Sequence, residues 1–502
     1  MNSSSQDKLN NESHKRALYA ALKAHDARFD GQVFVGVSST GIYCRPICRV
    51  KVPKYENCTF FATAAEAEQA GYRPCLLCRP EIAPGASIAD ASANLSRRAA
   101  TLIRENCTRP QGVEQLAARL GYTDRHLRRV FEEEFAVSPA QYLQTCRLHL
   151  AKSLLTESNL SVSAVARASG FGSTRRFNDV FKRHYRMTPS ELRKHKGTRK
   201  PIDEGIVFRL GYRPPYRFDD LLAFFRMRQI EGVERIDDSS YERAVRLEDE
   251  GTEHIGWLRV KNDEKKNALI VIMSESLLPV TSQVLERVRH MFDIDSDPST
   301  IHEAIASLDE IIPGAAKPGT RVPGCFDPFE TAVRAILGQQ VTVAFANTLA
   351  ARVARSFGTP IELGRDGLSY AFPTHHDILA IPVIEDAFGE LGVIKTRSRV
   401  IAEIAHALDT GDIDFGRGAI VDEQREKLLA LKGIGPWTAD YMALRIFGHP
   451  DVFLEGDAGI KHALPDTTPK ERLALAEQWR PWRSYANLCL WNSLNSSSKK
   501  ED

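Results

Sequence analysis

The sequence predicts a multidomain fold, with a small α+β domain, an all-α domain, a second small α+β domain and a larger all-α domain in succession. Three observations lead there. The 502 residues exceed what one ordinary core organises, so three or four domains are expected. Two Pro- and Gly-broken stretches, Pro80–Ser87 and His195–Gly205, cut the chain into parts. The hydrophobic pattern also changes along the chain. Residues 94–195 read as short amphipathic helices. After them the strand-like runs Ile206-Val-Phe-Arg-Leu and Ala268-Leu-Ile-Val-Ile-Met enclose a helix near 221–230, and from Thr281 onward the pattern is helical again. The resulting boundaries are 1–82, 93–196, 205–280 and 281–494, with the tail from Asn495 to Asp502 expected to be disordered.

Composition narrows the function classes. Hydrophobic content of 43% and charged content of 26% describe soluble globular domains. No apolar run approaches the ~18 residues of a membrane span, so no membrane partner is expected. The polar start, Met1 to His14, lacks the apolar core of an export signal, which points to the cytoplasm. Nine cysteines, four of them in close pairs, suit a metal site in a reducing compartment better than a disulfide framework. The net charge of +2 is unevenly spread. Residues 97–200 hold 21 Lys plus Arg against 9 Asp plus Glu, whereas the chain from Pro201 onward is −12. A basic middle predicts a phosphate-binding surface. In the acidic remainder, contact with nucleic acid must rest on local geometry.

The first domain is organised by its cysteines. Cys44 and Cys48 flank three residues, Cys75 and Cys78 flank two, and 26 residues separate the pairs. Two close thiol pairs held apart by a loop can close a tetrahedral four-thiolate zinc site, which would supply much of a small domain's stability. Thr40-Gly-Ile-Tyr-Cys-Arg-Pro-Ile-Cys, Asn57-Cys-Thr-Phe-Phe and Ala70-Gly-Tyr-Arg-Pro-Cys-Leu-Leu-Cys-Arg-Pro resemble the amino-terminal domain of the Ada family. The resemblance implies irreversible transfer of a methyl group from a DNA methyl phosphotriester to Cys44, with Thr40, Arg49 and Lys51 near the DNA. Zinc keeps the sulfur a thiolate, its nucleophilic form. Methylation would take the formal charge of the centre from about −2 to about −1 and so raise affinity for phosphates. Leu76 and Leu77 depart from the family by standing where basic residues are expected. Without the resemblance, the cysteines also admit a purely structural zinc site or free buried thiols.

The middle segment contains a repeat. Leu127, Val130, Phe131, Phe135 and Pro139 recur 50 residues later as Phe177, Val180, Phe181, Tyr185 and Pro189, and Gly121-Tyr122 matches Gly170-Phe171 one residue out of step. In each copy a short helix ends at glycine and a second restarts, after Thr123 or at Ser173, bearing Arg125, Arg128 and Arg129 or Arg175, Arg176 and Asn178. Exposed Arg and Asn near the start of a second helix suit the major groove. The segment resembles the AraC-type regulator domain, which implies promoter binding and contact with RNA polymerase. Charged solvated helix faces are the alternative.

Leu431-Lys-Gly-Ile-Gly-Pro-Trp-Thr-Ala-Asp is a helix-hairpin-helix signature, in which Gly433 and Gly435 permit a tight turn whose backbone amides approach a phosphate. Alone it is common to many DNA binders, but Asp457 lies 22 residues past Gly435, the pattern of base-excision glycosylases. Together with Leu210-Gly-Tyr-Arg-Pro-Pro-Tyr, Pro323-Gly-Cys-Phe-Asp-Pro-Phe-Glu, Arg334-Ala-Ile-Leu-Gly-Gln-Gln-Val-Thr and Trp482-Arg-Ser-Tyr-Ala, it resembles the AlkA 3-methyladenine glycosylase family over about 205–491. The resemblance makes Asp457 the catalytic carboxylate and Trp437, Tyr441 and Trp491 the base-pocket aromatics. It makes Gln340 the wedge that fills the gap left by the flipped base, and it places a monovalent cation at the carbonyls of Leu429, Leu431 and Ile434. A cationic alkylated purine is already a good leaving group, so one carboxylate can suffice and electron-rich rings would favour it over neutral bases. Trp437 stands where strand-cutting relatives carry lysine, so a monofunctional enzyme is expected. Ada's Pro-Cys-His-Arg box is missing, and Cys489 is the one late cysteine, too few for an iron–sulfur cluster.

The expected architecture is therefore a zinc-bound α+β domain, an all-α paired helix-turn-helix domain, a small α+β domain and an all-α helix-hairpin-helix glycosylase domain acting on double-stranded DNA. A rival is a regulator whose glycosylase half only docks, which the acidic balance would favour. In another, the helix-turn-helix units only lengthen residence on DNA.

Overall fold

The computed structural model describes residues 9–84, 95–109, 112–194 and 205–497. The end of the first expected linker (85–87 of Pro80–Ser87) and most of the second (195–204 of His195–Gly205) lie outside the described residues. The chain forms two compact units, 1–214 with 263–286, and 215–262 with 287–502.

In the first unit, helix α1 (Glu12–Lys23) is capped by the Asn11 side chain and precedes a four-stranded sheet. Strands β1 (Phe34–Val37), β2 (Ile42–Cys44), β3 (Cys58–Phe61) and β4 (Arg73–Pro74) lie in the order β3-β1-β2-β4, antiparallel except for the parallel β2–β4 pair. Leu18, Leu22, Val33, Val35 and Phe60 form a small core with the cysteines. Helix α2 (Ala64–Gln69) starts at a Thr63 cap.

The paired units follow as α3 (Leu95–Glu105), α4 (Val113–Arg119), α5 (Asp124–Phe135), α6 (Pro139–Glu157), α7 (Val162–Ala168) and α8 (Thr174–Tyr185). The repeat is physical. Leu127 and Phe131 in one copy, and Phe177 and Phe181 in the other, are fully buried. Gly121 and Gly170 both adopt φ 79°, the left-handed turn that lets the chain reverse between helices. Thr123 and Ser173 each accept the backbone N–H three residues on, at 3.3 and 3.2 Å, so both second helices begin where the cap residues predict. The nineteen-residue α6, entered through the Ser138 capping box and Pro139, carries both copies. In the same unit β5 (Ile206–Gly211) pairs antiparallel with β9 (Ala268–Met273).

In the second unit the expected helix near 221–230 forms three residues earlier, as α9 (Phe218–Met227), because Asp219 and Asp220 favour a first turn. An antiparallel meander of β6 (Glu234–Ile236), β7 (Ser240–Asp249) and β8 (Thr252–Asp263) follows. The rest is helical apart from the short pair Thr359–Pro360 with Tyr370–Ala371. Helices α10 (Pro328–Leu337), α11 (Val343–Phe357), α12 (His375–Leu379), α13 (Lys395–Asp409), α14 (Val421–Ala430), α15 (Pro436–Ile446), α16 (Ala458–Ala463) and α17 (Arg483–Ser497) carry the groups used below. Ile336, Leu349, Val353, Ile401, Leu428, Ala439 and Met442 lie at the centre of their core, wholly inaccessible. The tail expected to be disordered from Asn495 is helical through Ser497, and the remainder lies outside the described residues. No helix among the described residues is long and apolar enough to cross a membrane.

Candidate functional site

The parallel pairing of β2 with β4 explains how the cysteine pairs meet. Cys44 ends β2, Cys75 follows β4, and the Cys75 N–H donates to the Tyr43 carbonyl at 3.0 Å. Cys44, Cys48, Cys75 and Cys78 then bring all four sulfurs within 4.8 Å of one another. In a four-thiolate zinc site the sulfurs stand about 3.8 Å apart, given Zn–S bonds of about 2.3 Å, so the donor set fits one zinc ion. Hydrogen sharing with Cys48, then with Cys75 and Cys78, and burial hold the Cys44 thiol far above its usual range, so four thiolates need a cation among them. The Arg45 N–H donates to Cys78 Sγ at 3.4 Å, while its buried guanidinium pairs with Asp30. Thr40, Arg49 and Lys51 are exposed, and so are Leu76 and Leu77, which make this part of the surface apolar.

A buried polar junction that sequence patterns did not reveal joins this module to α6 and α8. Glu68 Oε1 accepts the Tyr43 hydroxyl at 2.8 Å and lies 3.3 Å from His149 and 3.0 Å from His184, the latter out of line for a hydrogen bond. Burial would raise the Glu68 carboxyl, but His184 and His149 hold it well below the usual range. Lys152 of α6 donates to Glu81 at 2.6 Å and to the Cys75 carbonyl at 3.3 Å. Of the groove candidates, Arg125, Arg175 and Arg176 are exposed, Arg128 is ion-paired to Asp124 at 3.0 Å, and Asn178 is half-buried.

In the second unit Asp457, Trp437, Tyr441, Trp491, Gln340, Gly433 and Gly435 line one cleft of about 1600 Å³. Asp457 caps α16. Its Oδ2 accepts the N–H groups of Gly459 at 2.8 Å and Ile460 at 3.3 Å, and the Trp491 indole N–H at 2.8 Å. Oδ1 has no hydrogen-bond partner among the described residues. A Cβ at Gly459 would lie 2.7 Å from Trp491 Cδ1, so glycine there lets the indole reach the carboxylate. Trp437 and Tyr441, one turn apart on α15, stack at 5.1 Å with planes 9° apart.

Other groups here escaped the sequence reading. Phe224 stacks on Trp491 at 6.3 Å, and the guanidinium of Arg228 covers Phe224 at 3.7 Å. Arg445 donates to the Tyr441 hydroxyl at 2.8 Å. Burial would raise that phenol, yet Arg445, Arg228 and Arg334 bring it below its ordinary value. These arginines, with Arg217 and Lys317, give the cleft a cationic lining despite the acidic balance. Gln339 donates to the Gly433 carbonyl at 3.1 Å and the Thr438 hydroxyl at 3.2 Å, and Arg397 grips the Gln339 carbonyl. This braces the loop in which Gln340 adopts φ 55°. The signal for Gln339 was its neighbour: Gly338-Gln-Gln precedes a helix cap at Thr342. At the hairpin only Gly433, with φ 103°, needs glycine for its backbone; Gly435 has φ −92° and faces open space, which leaves room for a phosphate.

Four family models match the chain in succession: the metal binding domain of Ada over 17–81, a helix-turn-helix domain over 116–195, the AlkA N-terminal domain over 207–327, and the HhH-GPD superfamily base excision DNA repair protein over 333–478. The "Probable bifunctional transcriptional activator/DNA repair enzyme AlkA" of Mycobacterium tuberculosis is 35% identical, over 95% of this chain and 96% of its own length. DNA-3-methyladenine glycosylase 2 of Escherichia coli is 36% identical over 57% of this chain and 96% of its own. The bifunctional transcriptional activator/DNA repair enzyme AdaA of Bacillus subtilis is 30% identical over 35% of this chain and 81% of its own. A sulfur cluster fit for zinc, a doubled helix-turn-helix unit and an aspartate-bearing hairpin cleft thus stand in one chain that aligns with a relative of nearly equal extent, and the chain belongs to the family of the bifunctional transcriptional activator/DNA repair enzyme AlkA.

Proposed function

We propose that this chain both senses and repairs alkylated double-stranded DNA. The observation that carries the repair half is the state of Asp457. One carboxylate oxygen is engaged by three N–H donors, the other has no hydrogen-bond partner among the described residues, and aromatic rings share its cleft. A carboxylate held this way stabilises positive charge developing on the deoxyribose and accepts a proton from the attacking water. The water oxygen bonds to the sugar carbon as the glycosyl bond breaks. Its electron pair returns to the alkylated purine, which leaves neutral. Trp437, Tyr441 and Trp491 are the proposed rings for a cationic 3-methyladenine-type base, and Gln340 the wedge. With Trp437 in place of a lysine amine, no Schiff base forms and the enzyme is monofunctional.

In the sensing half, Cys44 is the methyl acceptor. Zinc, held by Cys44, Cys48, Cys75 and Cys78, would keep the sulfurs ionised at neutral pH. The Cys44 sulfur attacks the methyl carbon of a phosphotriester, the carbon–oxygen bond breaks, and a phosphodiester anion leaves. The resulting thioether is not turned over, so each molecule reacts once. Loss of one negative charge beside Thr40, Arg49 and Lys51 favours DNA. The helix-turn-helix arginines Arg125, Arg128, Arg175 and Arg176, with Asn178, then bind promoter DNA in the cytoplasm and bring the protein to RNA polymerase. The carbonyls of Leu429, Leu431 and Ile434 would hold a monovalent cation, with Leu431 already accepting the Ile434 N–H at 3.2 Å.

Two measurements test this reading. Incubation with methyl-phosphotriester DNA should add one methyl mass to the Cys44 peptide, and an unmodified peptide would remove the sensor. Asp457→Asn should abolish release of 3-methyladenine while DNA binding persists. Unchanged release would mean another group does the chemistry.

A further inference from the structure

Besides the four cysteines, the described residues contain one other cluster of metal-ligating groups, and neither proposed activity uses it. His375 and His376 open α12, Asp409 closes α13, and their three donor atoms lie within 4.8 Å of one another. His376 Nδ1 is 3.4 Å from Asp409 Oδ1, and the two imidazoles stand 4.0 Å apart between centroids. A single His–Asp ion pair would account for His376 alone. It leaves unexplained why His375, half-buried and set edge-on against Phe329 at 6.0 Å, is turned to the same spot.

Three features suit a cation there. Imidazole and carboxylate together are donors for zinc and its late first-row neighbours, whereas magnesium and calcium take oxygen. The fifteen-residue α13 ends at Asp409, so the partial negative charge of its last carbonyls lies beside the cluster. The donors come from the ends of two helices, the histidines from α12 and Asp409 from α13, so an ion between them is met from two sides.

We propose that His375, His376 and Asp409 form a divalent-metal site in the glycosylase unit, distinct from the four-cysteine centre, that takes zinc or a like ion with water completing its coordination. A bound ion ties the start of α12 to the end of α13. With three protein ligands, two of them exposed, it exchanges faster than the four-thiolate ion.

The test uses the full-length protein carrying one equivalent of zinc, titrated calorimetrically with zinc chloride or nickel chloride alone. A second equivalent is expected to bind, and the thermal midpoint should rise as it does. In the double variant His376→Ala/Asp409→Asn, whose altered side chains are 59% and 44% exposed, the first equivalent should remain and the second should vanish. A wild-type protein that stops at one equivalent overturns the proposal. So does a double variant that still takes up two. Neither result bears on the Cys44 or Asp457 chemistry, because methyl uptake and base release are read separately.

Discussion

Trp491 donates its indole N–H to Asp457 Oδ2 at 2.8 Å, on the same oxygen that caps α16. A pocket ring thereby also orients the carboxylate. Trp491→Phe keeps the ring and deletes the donor. A hydrogen bond to a charged group contributes about 1.5–3 kcal/mol, so turnover of 3-methyladenine DNA should fall roughly 10- to 100-fold with KM little changed. Single-turnover kinetics check this, and an unaltered rate would show that the two backbone N–H groups alone orient Asp457.

Gln339 ties the Gln340 loop to the hairpin through the Gly433 carbonyl and the Thr438 hydroxyl. Gln339→Ala leaves both acceptors without that donor, at a cost of about 1–2 kcal/mol. The loop should then wedge poorly, so that base flipping, read by a fluorescent base analogue beside the lesion, falls while affinity for undamaged duplex is retained. Equal flipping in variant and wild type would disprove the brace.

Lys152 and Glu81 form a wholly buried ion pair at 2.6 Å. Lys152→Met leaves the buried carboxylate with Arg79 alone, at 2.9 Å, and should destabilise the first unit in denaturant unfolding by less than the roughly 3–5 kcal/mol of a wholly unpaired buried charge. Burial would raise Glu81, but Lys152 and Arg79 lower it from 4.5 to about 2. Its contribution is therefore complete above pH 4.5 and disappears as the pH falls through about 2. The variant should lose less stability than the wild type over that interval, and parallel acid profiles would contradict the assignment.

Zinc removal should act locally. The small core around Leu18, Val35 and Phe60 is shared with the cysteines, and structural zinc in small domains contributes roughly 10–16 kcal/mol of binding free energy. A strong chelator should abolish hydrogen-exchange protection across β1 to β4 and leave α14 and α15 protected. Unchanged protection in the sheet would mean that the fold does not depend on the ion.

What the sequence made legible was local. The cysteine spacing, the Thr123 and Ser173 caps, the repeated Leu127/Phe177 and Phe131/Phe181 pairs and the hairpin glycines each act within a few residues. Distant partners were hidden. Glu68 finds Thr145 and His149 across some 80 positions, and Gln339 finds Gly433 across 94. No periodicity encodes such meetings, because a single glutamate or glutamine on a helix face looks the same whether it meets water or a buried partner. The pocket was half visible for the same reason. Trp437 sits in the hairpin motif, while Arg228 and Arg445 look like ordinary solvated charges until burial fixes them over Phe224 and beneath Tyr441. At Asn178 the pattern pointed outward, and packing left the side chain half-covered.

The hold of Lys152 on the Cys75 carbonyl gives the metal loop and the long helix between the two DNA-reading heads a common mechanical anchor. In that dry surrounding an ammonium responds strongly to any nearby change of charge. Alkylation of a sulfur in the cluster would then change the charge that this ammonium meets, at the point where the metal loop bears on the helix.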